Sequence, residues 1–160
     1  MDIYEFAMKM EKDGENYYRE LATKSVNKGL RNVFAMLAEA EVFHFEVFRK
    51  LREHEKVRVG ETDILSEVKN VFEKMKDEKD TDVNITEIEL YKKAQEIEKL
   101  SKDFYLTQAE EVKDTAQKEI FLKIAGEEKR HYFILERIID FVSRPQTWIE
   151  NPEWYHLEEY

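Results

Sequence analysis

Apolar residues recur every three or four positions through four long stretches of the chain, and this period predicts four amphipathic helices. Each stripe is long enough to bury one face of its helix against neighbouring helices. The predicted helices cover residues 2–25, about 30–55, about 87–112 and about 115–143.

Polar residues at the predicted helix ends favour the same boundaries. Asp2 followed by Glu5 predicts a capping box before the first helix, and Thr86 followed by Glu89 predicts one before the third. Pro145 is expected to end the fourth helix, because proline restricts the residue that precedes it.

Two stretches lie outside these helices. The connection 56–86 is polar and charged, with one apolar pattern over 64–75 that predicts a short amphipathic helix. The stretch 144–160 has two prolines, two tryptophans and no clear period, so we predict an extended tail. Trp148 and Trp154 are expected to pack on the bundle or on a partner subunit. The predicted domain is 1–143, with the connection included.

The two helix pairs repeat each other along the chain. Residues 7–51, moved by 87 positions, fall on 94–138 without a gap. Each pair has a short loop, near 26–29 and 113–115, and is therefore expected to be antiparallel. One pair alone would expose its apolar face, so the two must pack together. The prediction is an all-α four-helix bundle with a long crossover.

Composition narrows the classes of function. Net charge is −10 over 160 residues, which disfavours a nucleic-acid partner. The absence of cysteine excludes disulfides, thiolate catalysis and iron–sulfur ligation by Cys. The sequence has neither a signal-peptide pattern nor a long uncharged apolar run, so we expect no membrane partner and a cytoplasmic location.

Ionisable residues interrupt the apolar stripe of every long helix at matching repeat positions. Their side chains are on the same helix face as the apolar ones, since residues three or four apart share a face. Buried carboxylates need partners, and four at one level would repel each other. Three arrangements would account for these buried charges: a buried ion-pair network, a polar layer that only fixes helix register, or two divalent cations. The six residues are Glu11, Glu41, His44, Glu98, Glu128 and His131.

Metal explains the pattern most simply. No Lys or Arg interrupts the stripes near these positions, and two divalent cations balance four carboxylates. Glu-x-x-His on each of two helices, with one Glu from each of the other two, is the ligand set of di-iron carboxylate bundles. The oxygen and nitrogen donors suit iron or manganese, with zinc as a competitor. Glu41 and Glu128 are placed to bridge two ions roughly 3.5–4 Å apart.

Other acidic residues and histidines near the stripes have a surface interpretation. Glu15 has Lys102 as its repeat mate and is predicted to be a rim charge. Glu39 and Glu127 flank the motifs and are predicted to point away from the apolar face. His54, like His156, has no motif partner and is predicted to lie at the surface.

Four segments carry a family resemblance: "MEKDGENYY", "LAEAEVFHFEVF", "IEKLSKDFY" and "IAGEEKRHYFIL". Over about residues 3–143 the chain resembles the rubrerythrin branch of ferritin-like di-iron proteins. The resemblance implies two iron ions, with one histidine nitrogen per iron. It also implies that two tyrosines, seven residues after the terminal glutamates, hydrogen-bond ligand carboxylates, although packing in the core is an equal alternative. The implied roles are Glu11 and Glu98 terminal, Glu41 and Glu128 bridging, His44 and His131 terminal, with Tyr18 and Tyr105 beside them.

The chain departs from rubrerythrin in two places. Without cysteine there is no rubredoxin domain, so electrons are expected from a separate donor protein. Rubrerythrin also has an extra ligand glutamate on its third helix, where this chain has Ser101, with Gly14 as the repeat mate. That carboxylate supports the iron movement linked to peroxide reduction, so its absence argues against an efficient peroxidase.

The resemblance implies an oxidoreductase that reacts with hydrogen peroxide or dioxygen, and we expect a homodimer. Three alternatives stay open: iron handling as in ferritin, a purely structural polar layer, and a di-iron hydroxylase with its own substrate pocket.

Overall fold

The computed structural model describes residues 2–59 and 64–152, and nearly all of its regular structure is helical. None of the helices in these two ranges is long and apolar enough to cross a membrane. The helices are α1 (Ile3–Lys24), α2 (Lys28–Arg52), α3 (Ile64–Asp77), a 3₁₀ turn (Ile85–Glu87), α4 (Ile88–Glu111), α5 (Thr115–Ser143) and α6 (Pro145–Glu150).

Side chains of small polar residues cap three of the long helices. The Asp2 carboxylate accepts a hydrogen bond from the Glu5 amide at 2.8 Å, as predicted for the start of α1. Asn27 and Asp114 do the same for α2 and α5. The predicted capping box of α4 is wrong: α4 begins without a side-chain cap, and the Thr86 amide donates to the Asn84 side chain instead. The 3₁₀ turn shifts the start of α4 past the threonine.

The long helices form two antiparallel pairs, α1 with α2 and α4 with α5. The pairs meet through α1 against α4 and α2 against α5. Helix α1 runs antiparallel to α4, because Tyr18 contacts Glu98 while Tyr105 contacts Glu11. The predicted all-α ferritin-like bundle is confirmed.

The connection between the pairs travels the length of the bundle. Val59 is buried in the apolar cluster at one end, whereas Ile64 belongs to the cluster at the other. The predicted short helix is present as α3, which packs against α2, α5 and α6. Asn27 ties the crossover to the α1–α2 turn, since its amide donates to Asp80 at 3.1 Å and to the Asp82 carbonyl at 3.0 Å.

The extended tail predicted from residue 144 is wrong for its first part. Pro145 begins α6 rather than only ending α5, because proline suits the first turn of a helix. Trp148 is fully buried and packs edge-on against Phe72 and Phe141. The six-residue helix therefore depends on a tertiary contact that periodicity does not reveal. Trp154 lies outside the described residues.

A polar layer divides the core into two apolar clusters. One cluster has Phe34, Tyr91 and Ile138 near its centre, and α3 and α6 cover it. The other is built around Phe48 and Phe121. The six ionisable residues lie between these clusters, so apolar packing excludes water from both sides.

Candidate metal centre

Each long helix contributes to the polar layer at its midpoint. Helices α1 and α4 give one glutamate each, and α2 and α5 give one Glu-x-x-His pair each. All six residues are at most 3% exposed. The structure brings together every residue in the predicted ligand set: Glu11, Glu41, His44, Glu98, Glu128 and His131.

The six side chains form two overlapping groups of four. In each group, one ligand atom per residue lies within 4.8 Å of the others. Both groups contain Glu41 and Glu128, so these are the two glutamates that could bridge a pair of cations. The other members are Glu11 with His44 in one group, and Glu98 with His131 in the second.

The histidines present Nδ1 to the carboxylates. His44 Nδ1 lies 3.0 Å from Glu128 Oε1 and 3.5 Å from Glu11 Oε2. His131 Nδ1 lies 3.4 Å from Glu98 Oε1 and 3.5 Å from Glu41 Oε1. Two ligands about 2.1 Å from one ion are roughly 3.0–3.5 Å apart, depending on the coordination angle. The observed separations therefore suit atoms that share a cation.

Many buried polar atoms of this layer make no hydrogen bond. They are one oxygen of each of the four glutamates and both ring nitrogens of each histidine. Buried polar atoms normally have partners, and a buried atom without one is destabilising. Unpartnered atoms that converge on one volume are the arrangement that bound cations would satisfy.

Two tyrosines connect the terminal glutamates across the two halves of the bundle. The Tyr105 hydroxyl in α4 donates to Glu11 Oε1 in α1 at 2.6 Å. The Tyr18 hydroxyl in α1 donates to Glu98 Oε1 in α4. Each hydroxyl fixes one carboxylate oxygen and leaves the other oxygen, Oε2, without a hydrogen bond.

The sequence model of the Rubrerythrin family matches residues 2–139, nearly the whole bundle. The chain belongs to the rubrerythrin family. No curated protein and no solved structure matched the chain. The match and the buried carboxylate–histidine layer together fit a di-iron protein.

When no metal neutralises the carboxylates of this rubrerythrin-family centre, their burial and their mutual repulsion determine how strongly they bind protons. The pKa of Glu41 is raised well above its usual value by burial and by the neighbouring carboxylate of Glu11. The pKa of Glu128 is raised in the same way, by burial and by Glu98. Both glutamates therefore bind a proton more readily than a carboxyl group in water does.

The pKa of Glu98 is shifted in the opposite direction. Burial alone would raise the pKa of Glu98, but the adjacent Glu128 carboxyl group and the positive charge of His131 outweigh it and lower the pKa to about 2. Burial likewise opposes the charge on His131, yet the Glu98 carboxylate raises the pKa of that imidazole. The Glu98 carboxylate is therefore already ionised and can bind a cation without first losing a proton.

A glycine makes room for one bridging carboxylate. A Cβ atom at Gly14 would lie 3.0 Å from Glu41 Oε2 and 3.2 Å from its Cδ. The carboxyl group of Glu41 thus occupies the space that any other residue's side chain would need. Ser101, the repeat mate of Gly14, is 6% exposed.

Outside the six residues, Glu127 differs in position from the prediction, whereas Glu15 lies at the rim as predicted. Glu127 was expected to point away, but it is only 3% exposed and accepts a hydrogen bond from Arg130 at 3.2 Å. Its repeat mate is an alanine, so the repeat gives no signal for it. Glu15 pairs with Lys12 and Arg19 at the rim.

The remaining predicted surface residues agree with the structure where it describes them. Glu39 is exposed and accepts from an arginine of α1 at 2.8 Å. His54 is exposed and has a φ of 60°, just after α2 ends. His156 lies outside the described residues.

Proposed function

We propose that this rubrerythrin-family protein is a di-iron oxidoreductase that reacts with hydrogen peroxide or dioxygen. The observation that carries the proposal is the convergence of unpartnered buried oxygen and nitrogen atoms into two overlapping groups of four. The family match supports the same assignment.

The ligand assignment follows from the two groups. Glu11 and His44 would hold one ion, and the symmetric pair from α4 and α5 would hold the other. Glu41 and Glu128 would bridge both ions, since each belongs to both groups. Four carboxylates balance two divalent cations, and the mixed donors suit iron, with manganese or zinc as competitors.

When bound, a pair of iron ions supplies the electrons for reducing an oxidant by two electrons at one site. The chain contributes the surroundings of that chemistry. Tyr18 and Tyr105 orient the terminal carboxylates, as partners of metal ligands commonly do. The apolar clusters on both sides of the layer exclude water. Glu41 and Glu128, whose pKa values are raised, would give up any bound proton on binding a cation.

Two features of the sequence bear on the electron supply and on the reaction with peroxide. The chain has no cysteine, so it lacks the rubredoxin-type iron site that delivers electrons in rubrerythrin, and we expect a separate donor protein. Ser101 provides no carboxylate for a shift of one ion. We therefore expect a slower reaction with peroxide than a centre with the extra glutamate would give.

The test begins with iron loading under anaerobic conditions. We expect two iron ions per chain, and rapid oxidation on stopped-flow mixing with hydrogen peroxide or with dioxygen. Comparing the two oxidants at equal concentration identifies the preferred one. Replacing Glu128 by Gln should abolish binding of the ion pair, because both groups lose a shared ligand.

Glu15→Gln is the matched control, since Glu15 is a glutamate at the rim of α1 that pairs with Lys12 and Arg19. It should load iron and react as the unmodified chain does. A chain that folds but binds no iron, or an iron-loaded chain that neither oxidant oxidises, would overturn the proposal.

A further inference from the structure

A cavity of about 200 Å³ lies between α4 and α5, at the level of the candidate metal centre. Two of the proposed ligands, Glu98 and Glu128, contribute to its wall, although each is only 1% exposed. The other residues of the wall are half-buried or exposed. The α4–α5 cavity therefore leads from the surface towards the ion that Glu98 and His131 would hold.

Charges of both signs line the α4–α5 cavity, because three lysines share its wall with the two glutamates. Lys102 also lies 3.7 Å from Asp103, and Lys129 has an interaction partner of its own. Three positive and three negative groups offset each other, so the cavity has no excess charge that would attract an ion of either sign. An ion would also lose its hydration on entering, whereas an uncharged molecule avoids most of that cost.

Two aromatic side chains form the apolar part of the wall, Tyr132 and Phe133. Their ring centroids are 5.5 Å apart, with an interplanar angle of 77°. Both residues are half-buried, so part of each remains accessible. The repeat has Phe45 and Glu46 at the matching positions of α2, so this pair of aromatic residues is specific to the α4–α5 face. Contacts with aromatic rings favour a ligand that has an aromatic or apolar body.

The volume of the cavity sets the size of that body. An apolar cavity of about 150 Å³ accommodates benzene. At about 200 Å³, the α4–α5 cavity has room for a benzene-sized group with a short substituent. Hydrogen peroxide would fill only a small part of this space and would make few contacts with the rings.

We propose that the α4–α5 cavity is the entrance for the oxidant and that it binds organic hydroperoxides, which are uncharged molecules, with an apolar body about as large as benzene. The inference rests on the proposed function, since it names the class of oxidant for the same centre. The apolar body would lie against Tyr132 and Phe133, with the hydroperoxide group towards the inner wall at Glu98 and Glu128.

The reaction of such a molecule balances with the electrons that the proposed function supplies. The O–O bond of the hydroperoxide breaks as it takes up two electrons, one from each ferrous ion, and two protons from solvent. The products are one alcohol, one water molecule and two ferric ions. The separate donor protein then returns two electrons to the ions.

Binding is tested first on the metal-free full chain, with stable compounds shaped like cumene hydroperoxide. The uncharged probe is 2-phenyl-2-propanol, and the anionic probe is 2-methyl-2-phenylpropanoate. NMR titration compares their affinities, and intermolecular NOEs locate the alcohol. We expect the alcohol to bind at least about threefold more tightly, because the carboxylate must lose its hydration. We also expect NOEs from the alcohol to the rings of Tyr132 and Phe133. Equal or tighter binding of the carboxylate, or NOEs to neither ring, would overturn the inference.

The reaction is tested next on the iron-loaded, reduced chain, by stopped-flow mixing with cumene hydroperoxide and with hydrogen peroxide. Phe133→Ala removes one ring from the wall. Phe6→Ala is the matched control, because Phe6 is a 43% exposed ring on α1 that packs against Phe104 outside the cavity. Phe133→Leu removes the same ring but keeps an apolar side chain, so it provides the test if the alanine variant does not fold.

The measured quantity is the rate with cumene hydroperoxide divided by the rate with hydrogen peroxide. Loss of one aromatic contact should lower this ratio by about two- to tenfold in Phe133→Ala, and in the same direction in Phe133→Leu. The ratio should not change in Phe6→Ala. An unchanged ratio in both Phe133 variants, or an equal fall in Phe6→Ala, would overturn the inference.

The two proposals fail in distinguishable ways. A chain that binds no iron, while the alcohol still shows NOEs to Phe133 in the metal-free form, would overturn the proposed function and support the cavity as a binding site. An iron-loaded chain that hydrogen peroxide oxidises, but whose reaction with cumene hydroperoxide does not depend on Phe133, would overturn this inference and leave the proposed function.

Discussion

Replacing Gly14 by Ala tests whether Glu41 holds its carboxyl group where a cation needs it. The added Cβ would lie 3.0 Å from Glu41 Oε2 and 3.2 Å from Cδ. Ordinary contacts begin near 3.5 Å, so the carboxyl group must withdraw by about 0.5 Å. Without metal this movement is inexpensive, because the group is the free end of a flexible side chain.

Metal makes the same movement unfavourable. Ligand distances tolerate about 0.2 Å of change, and disturbing the support of a ligand weakens metal binding by roughly 10–100-fold. That range corresponds to about 1.4–2.7 kcal/mol. In the metal-free chain, alanine within a helix is favoured over glycine by about 0.8–1.0 kcal/mol. Gly14→Ala should thus stabilise the metal-free protein while weakening its affinity for metal.

Gly126→Ala is the control, since it makes the same substitution in α5 and a Cβ there meets nothing within 4 Å. Chelator competition with cobalt measures affinity, and urea unfolding of the metal-free chains measures stability. Both variants should gain stability, but only Gly14→Ala should lose affinity. Unchanged affinity in Gly14→Ala, or equal loss in both variants, would refute the position assigned to Glu41.

Four further predictions follow from the described contacts. Metal binding should release at least one proton per ion and should tighten as pH rises. The reason is that Glu41 and Glu128 have raised pKa values and must lose their protons to bind a cation. Calorimetry in buffers of different ionisation enthalpy counts the released protons. Tyr105→Phe should weaken metal binding about tenfold in the chelator assay, since it removes a 2.6 Å hydrogen bond to a terminal carboxylate. Trp148→Ala should lower the free energy of unfolding by about 3–5 kcal/mol in urea, because a fully buried ring is removed. His54→Gly should raise that free energy by about 1 kcal/mol, since its φ of 60° suits glycine better.

The helices and the six polar residues were predictable because each depends on local spacing. Period and caps place α1 and α5 to within a few residues of their observed bounds, Ile3–Lys24 and Thr115–Ser143. The repeat then supplies long-range information, since Glu41 and Glu128 must occupy equivalent places if the two halves pack about a pseudo-twofold axis.

What the sequence did not reveal depends on contacts between distant residues. Helix α6 has six residues and no period, and its buried Trp148 packs against rings from α3 and α5. The burial of Glu127 depends on the residues that surround it in the folded chain. Nothing in the Glu-x-x-His motif distinguishes it from an exposed glutamate. A cavity between α4 and α5, lined by Lys99 and Tyr132 among others, is a gap between side chains, and no sequence pattern encodes a gap.

Cooperation between the two helix pairs follows from how the ligands are distributed. One group takes three residues from the first pair and Glu128 from the second, whereas the other group takes three from the second pair and Glu41 from the first. The tyrosine hydrogen bonds cross between the pairs as well. Neither pair alone can complete a four-residue group, so cations that bind the layer would hold the halves together. A ligand at a hundred times its Kd stabilises the folded state by about 2.7 kcal/mol, and here that stabilisation would act on the contact between the pairs.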